Sequence, residues 1–177
     1  MRRIKSIFIL AALLLAISSA GFAADNFDLI CDTPRSTTLA GNSFWTVGAR
    51  TDIDMGHWEF VKDVQGKVAC HLTAPRATTA AAVQLVIAAN AVAGVTSLQV
   101  SWICLGNSAS LNGTLTDLTR QDITVDATAY DTKFVTFTLG SQLTAGDYCM
   151  FEIFHDGTQV ADTLAANTEL YSVHLSD

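Results

Sequence analysis

Three glutamates, four histidines and four cysteines are the side chains here best suited to chemistry, so their spacing is the first thing to weigh. A glycoside-cleaving site needs two carboxylates at a set separation, and acyl transfer needs a nucleophile beside a base. Glu59, Glu152 and Glu169 each fall in or at the edge of a strand-like segment and read as outward-facing strand residues. His57, His71, His155 and His174 show no metal-ligand spacing, and His71 and His174 sit on polar faces as surface residues do. Neither a Gly-x-Ser-x-Gly elbow nor a phosphate-cradling glycine loop occurs. The expectation is a protein that is not an enzyme and carries no cofactor. The acidic loop with Asp52 and Asp54 could give two oxygens to a structural calcium ion, joined by Asp156 or Asp162. Calcium asks for six to eight such ligands, and the plainer reading is a solvated acidic turn.

Cys31, Cys70, Cys104 and Cys149 form an even set without any Cys-x-x-Cys pair. That argues against zinc and redox motifs and allows two disulfides in an oxidising compartment. Three pairings are possible, and the spacing does not choose among them. Long loops would be closed, so each bridge would contribute on the order of 3–4 kcal/mol in the chain-entropy model. The alternative is buried free thiols acting as small hydrophobes.

An oxidising compartment is what the start of the chain implies. Arg2, Arg3 and Lys5 precede an unbroken apolar run from Ile7 to Ile17, and Gly21-Phe22-Ala23 puts small residues at the positions a signal peptidase reads. Residues 1–23 are expected to be a helical signal peptide, cut before Ala24. The apolar run is short of the roughly 20 residues that span a bilayer, which disfavours a retained anchor. Cleavage removes three positive charges and leaves a net charge of −10 on residues 24–177. Such a field repels nucleic acid and anionic membrane surfaces. The expected location is secreted, periplasmic or on the extracellular surface. Residues 24–177 suit one domain, since half of the chain is hydrophobic and a chain of this size buries roughly 70% of its unfolded surface.

Proline is nearly absent, and short segments of period-2 alternation fill the mature chain. In Lys67–Ala74, Val68, Cys70, Leu72 and Ala74 share a face. Thr96–Leu105 does the same with Leu98, Val100, Trp102 and Cys104. In Lys133–Leu139, Val135, Phe137 and Leu139 alternate with Phe134, Thr136 and Thr138. In Asp147–His155, Cys149, Phe151 and Ile153 oppose Glu152. In Glu169–Ser176, Tyr171, Val173 and Leu175 oppose Ser172 and His174, and Ile123–Ala127 is a weaker strand. Turns are expected at Thr144–Asp147 and Asp156-Gly157. The alanine-rich stretch 77–93 has the propensity of a helix, but Val83, Leu85 and Ile87 alternate as a strand does, and a strand is the expectation. Many short strands with no helices between them predict an all-β, antiparallel β-sandwich.

The order of His57-Trp58-Glu59-Phe60, Lys67–Pro75, Val83–Ala89, Leu98–Trp102, Ala145-Gly146-Asp147-Tyr148, Asp162-Thr163-Leu164 and Leu170–Leu175 resembles small jelly-roll modules of phage virion and tail-associated proteins and of environmental proteins of unknown function. The resemblance implies a jelly-roll sandwich and a structural or adhesive role on a cell or virion surface. Its partner would be another copy or another surface protein. The segment Ala24–Thr38 could then be an edge strand or an arm lent to a neighbour. The second reading is a stand-alone carbohydrate-binding module with a glycan partner. It rests on Trp45, after Gly41-Asn42-Ser43, and Tyr130, among Asp126, Thr128 and Asp131, as exposed stacking platforms. Trp58 and Trp102 read as core.

Overall fold

The computed structural model describes residues 27–32, 43–48, 55–78, 81–90, 93–110, 112–126, 128 and 130–176. The signal peptide, Asp52 and Asp54 lie outside them. The strands run β1 (Phe27–Asp28), β2 (Ile30–Asp32), β3 (Ser43–Gly48), β4 (Met55–Phe60), β5 (Gln65–Thr73), β6 (Ala82–Ala89), β7 (Gly94–Leu105), β8 (Thr116–Asp117), β9 (Gln121–Val125), β10 (Lys133–Thr138), β11 (Tyr148–Asp156) and β12 (Thr168–Ser176). They pair antiparallel in two six-stranded sheets. The first has the order β10-β6-β12-β4-β3 with β1 also on β12, and the second has β2-β5-β11-β7-β8 with β9 also on β7. No helix occurs among the described residues. The antiparallel sandwich expected from the alternation, of the jelly-roll type that the resemblance implied, is the observed architecture.

The inward sets are those the period-2 pattern marks. Phe60, Val68, Leu85, Ile87, Leu98, Val100, Phe137, Phe151, Ile153 and Leu175 are sealed from solvent in one core, joined by Trp58 and Trp102. Burying each aliphatic or aromatic side chain contributes about 1.5–3 kcal/mol. Residues 82–89 form a central strand between β10 and β12. Burial of Val83, Leu85 and Ile87 outweighs alanine's helical propensity there.

Turn chemistry follows the sequence as well. Gly146 takes a φ of 86°, and the Asp147 N–H closes the turn on the Thr144 carbonyl at 3.1 Å. At Gly157 a Cβ would stand 2.8 Å from both the N and the O of Val64, so only glycine fits against the turn that leads into β5. The Asp162-Thr163-Leu164 turn has a specific role. β7 outruns its neighbour β11, whose register ends at His155 opposite Leu98. The turn takes the vacated edge. Thr163 and Leu164 N–H both donate to the Val95 carbonyl at 2.9 Å, Val95 N–H donates to the Thr163 hydroxyl, and Ser97 N–H donates to Asp162 at 2.9 Å.

The structure corrects one side-chain assignment. Tyr171 does not share the inner face with Val173 and Leu175. A bulge between Leu170 and Ser172 adds one residue to β12, so the buried series is Leu170, Val173, Leu175. Tyr171 is turned to the outer side, where its hydroxyl donates to Glu169. Glu169 faces outward as expected yet is only 8% exposed. Of the two roles considered for the amino-terminal segment, its described part takes that of strands within the chain: β1 pairs with β12, and β2 pairs with β5 at the edge of the second sheet.

The strand order also decides the disulfides. Cys31 stands directly opposite Cys70, and Cys104 opposite Cys149, in antiparallel register. Both pairs are bridged, and no free cysteine is left. Two structural disulfides are what an oxidising, extracytoplasmic compartment permits.

Candidate functional site

β11 is the central strand of the second sheet, and every second residue on it faces away from the core. These are Tyr148, Met150, Glu152 and Phe154, all half-buried by their neighbours. Three bulky side chains at positions where alternation usually puts small polar ones are the local signal of a used surface. Register adds the flanks. Glu152 lies opposite Ala69 on β5 and Ser101 on β7, Phe154 opposite Lys67 and Gln99, and Ser101 opposite Asp117.

Two shallow cavities lie on this face. One, of about 260 Å³, is lined by Lys67, Gln99, Ser101, Asp117, Glu152 and Phe154. The other, of about 270 Å³, is lined by Ala69, Gly113, Leu115, Met150, Phe151 and Glu152. Glu152 lines both, so the two adjoin as a groove across β11. Segment 112–115 walls it on one side. A Cβ at Gly113 would meet the tip of Ile103, a residue in register with Met150.

The polar contacts inside the groove are few. Lys67 forms an ion pair with Glu152, and its ammonium lies 5.5 Å from the centre of the Phe154 ring. The Ser101 hydroxyl donates to Asp117 at 2.6 Å, and the Gln99 amide donates to the Leu118 carbonyl at 3.0 Å. At one end the rings of His71 and Tyr148 lie 5.7 Å apart. An aromatic ring and a thioether beside half-open carboxylates, an amide and a hydroxyl give an apolar patch with convergent hydrogen-bonding groups. That is the composition of a small-ligand surface.

A second polar cluster lies at the far end of β11 and is closed. The Asp156 carboxylate accepts from Gln65 at 3.0 Å, Thr158 at 2.7 Å, Gln159 at 2.9 Å and Arg120 at 2.9 Å. Burial works to raise the Asp156 pKa, but those hydrogen bonds and the Arg120 charge outweigh it and hold it below the ordinary value. His155 donates from Nε2 to Asp162 at 3.1 Å, with both side chains at most 4% exposed. Burial pushes the His155 pKa below its ordinary value, outweighing the raising effects of Asp162 and Asp156. Asp156 and Asp162, considered above as calcium ligands, are thus occupied by protein donors. Among the described residues no group of three acidic, histidine or cysteine side chains is placed to hold a metal.

A third grouping escaped the sequence. Glu59 and Glu169 face each other across β4 and β12, beside the rings of His57 and Tyr171, whose centres are 5.1 Å apart with the planes tilted by 40°. The Asn167 amide donates to Glu59 and the Tyr171 hydroxyl to Glu169, and His57 is only 2% exposed. Elsewhere, a largely apolar cavity of about 300 Å³ opens beside β12, walled by Leu29, Cys31, Trp58, Leu170 and Val173.

The residues singled out as stacking platforms belong to other places. Trp45 lies on β3 of the first sheet, in register with the buried Trp58, and its side chain is outside the described set. Tyr130 is half-buried with φ 66°, and its N–H donates to the Ala89 carbonyl at the end of β6. Neither is on the sheet that carries the groove.

No family model and no curated protein matches the chain. Similar solved structures include a family 35 carbohydrate-binding module from Clostridium thermocellum, at 12% identity and TM-score 0.48, over 87% of this chain and 98% of that one. The K1 cleaved adhesin domain of Lys-gingipain from Porphyromonas gingivalis gives 12% identity and TM-score 0.47, over 87% and 98%. An isomalto-dextranase of Arthrobacter globiformis, complexed with panose, gives 13% and 0.49, over 86% of this chain but 23% of the enzyme. These three are a carbohydrate-binding module, an adhesin domain and an enzyme, and none of them is a phage virion module. At such identities the likeness concerns the sandwich alone, and no residue role is carried over from it.

Proposed function

We propose that this protein is an exported, non-catalytic glycan-binding module whose ligand lies across β11 on the outer face of the second sheet. One observation carries the reading: the groove joins Phe154 and Met150 to the half-buried polar groups of Lys67, Gln99 and Glu152, the exposed Asp117 and the buried Ser101 hydroxyl. A pyranose ring has an apolar face and a rim of hydroxyls, and this surface offers the complement of each. The test is affinity electrophoresis of the mature chain through gels holding single polysaccharides, with Phe154→Ala beside the parent. The expected result is retardation of the parent by at least one polysaccharide, lost in Phe154→Ala with an unchanged melting temperature. If Trp45→Ala or Tyr130→Ala abolishes retardation while Phe154→Ala keeps it, the site is on the first sheet.

A structural or adhesive role on a surface is the second reading. Phe134, 66% exposed on the edge strand β10, favours it, because edge strands with apolar side chains invite pairing with another chain. An oligomer in light scattering that Phe134→Lys disperses would bring this reading forward.

A further inference from the structure

The hydrogen-bonding state of the groove says more than that a sugar fits; this step rests on the glycan-binding reading above. Donors and acceptors there are unequal. The donors that line the groove are already engaged with the protein: Lys67 pairs with Glu152, Ser101 gives its single hydroxyl hydrogen to Asp117, and one of the two Gln99 amide hydrogens goes to the Leu118 carbonyl. The acceptors are far from filled. A carboxylate has about four lone-pair sites. Among the described residues Asp117 receives the Ser101 hydroxyl and Glu152 the Lys67 ammonium, so most of their accepting capacity is left unused by protein donors. The Gln99 side-chain carbonyl adds another acceptor.

Charge points the same way. Among the residues lining the two cavities Lys67 is the sole cation, and Glu152 already neutralises it. Asp117 is held by a neutral hydroxyl, so its charge has no cation to match it among the described residues. A uronate or sulfate group entering here would meet a carboxylate with no free cation to receive it, inside a chain whose mature form carries −10. Sugar hydroxyls are donors, and donors are what Asp117, Glu152 and Gln99 lack.

We propose that the groove selects neutral, hydroxyl-rich glycans, with Asp117 and Glu152 accepting hydrogen bonds from sugar hydroxyls, and that it turns away uronate-bearing and sulfated chains. The experiment uses the mature chain on matched gels containing neutral polysaccharides (xylan, mannan, a mixed-linkage glucan) or acidic ones (polygalacturonate, a sulfated galactan). The expected result is retardation by a neutral polymer only. The apparent affinity should change less than about twofold as salt screens charge and fall at least about tenfold in Asp117→Ala, a loss of one charge-assisted contact. Asp117→Lys is expected to lose the neutral polymer and gain salt-sensitive retardation by polygalacturonate. Salt-sensitive retardation of the parent by an acidic polymer, abolished in Phe154→Ala, would overturn the selectivity while leaving the glycan-binding groove in place. No retardation by either class would overturn the glycan-binding reading and the selectivity with it.

Discussion

Two charged clusters share β11 and have nearly the same inventory. The closed one holds Asp156, Asp162 and Arg120 around His155, and the open one holds Glu152, Asp117 and Lys67 around Phe154. Both have two carboxylates and one strong cation, and both begin from neighbouring residues, since Phe154 faces out where His155 faces in. What separates them is the number of donors. Asp156 alone collects four, and Asp162 has a backbone N–H and an imidazole. Among the described residues each carboxylate of the open cluster has one. A buried charge must be fully satisfied to be tolerated, whereas a half-open one can keep lone pairs for a partner. The difference suits the first cluster to holding the fold and, on the proposed function, the second to meeting a ligand.

The comparison breaks most sharply at Asp156. Asp156→Ala would strip Gln65, Thr158, Gln159 and Arg120 of their common acceptor. The expected loss is about 3 kcal/mol, the size seen when one partner of a buried, hydrogen-bonded pair is removed. Urea unfolding followed by tryptophan fluorescence measures it. A loss under about 1 kcal/mol, the level of an exposed pair, would mean that the closed cluster is no more structural than the open one.

Acid should act on the closed cluster next. The folded chain holds His155 below its ordinary value of 6.5, so as pH falls past that value the unfolded chain takes up the proton first. Stability then declines toward the lower folded pKa. Asp156, held below its ordinary 3.8, adds a second decline: its contribution is present above 3.8 and is lost as pH falls through the folded value. Melting temperatures from pH 8 to pH 3 should therefore drop in two stages, and His155→Gln should flatten the upper one. An upper limb of the same slope in His155→Gln would place its origin at another group.

Sequence could place the strands but not the clusters, for a physical reason. Alternation is local, so the inward series Val68-Cys70 and Cys149-Phe151-Ile153 could be read directly. Which strands lie side by side is not local. Cys31 meets Cys70, and Glu152 meets Lys67 and Ser101, through pairings of strands far apart in the chain. Three cysteine pairings therefore stayed open, and the groove went unseen. One local clue was present: Phe154 and Met150 stand on the face that Glu152 marks as polar. The bulge at Tyr171 had none, because an extra residue leaves the alternation readable on either side while reversing the faces across it. Export, Asp52 and Asp54 lie in parts of the chain that the described strands do not reach.

The smallest effect on stability is expected in the groove itself, where the comparison can be sharpened. Lys67 and Glu152 form an ion pair with side chains about a quarter exposed, at 26% and 23%. A pair open to solvent contributes at most about 1 kcal/mol, because water screens the attraction and two long side chains must be ordered. A double-mutant cycle with Lys67→Ala and Glu152→Ala should therefore return a coupling below about 1 kcal/mol in urea unfolding. Glu152→Ala should still weaken glycan retardation, since the lone pairs it removes are those turned toward the ligand. A coupling of several kcal/mol would mean that this pair, like Asp156 and its donors, holds the fold. The number of donors around a carboxylate would then no longer separate a structural cluster from a binding one on this strand.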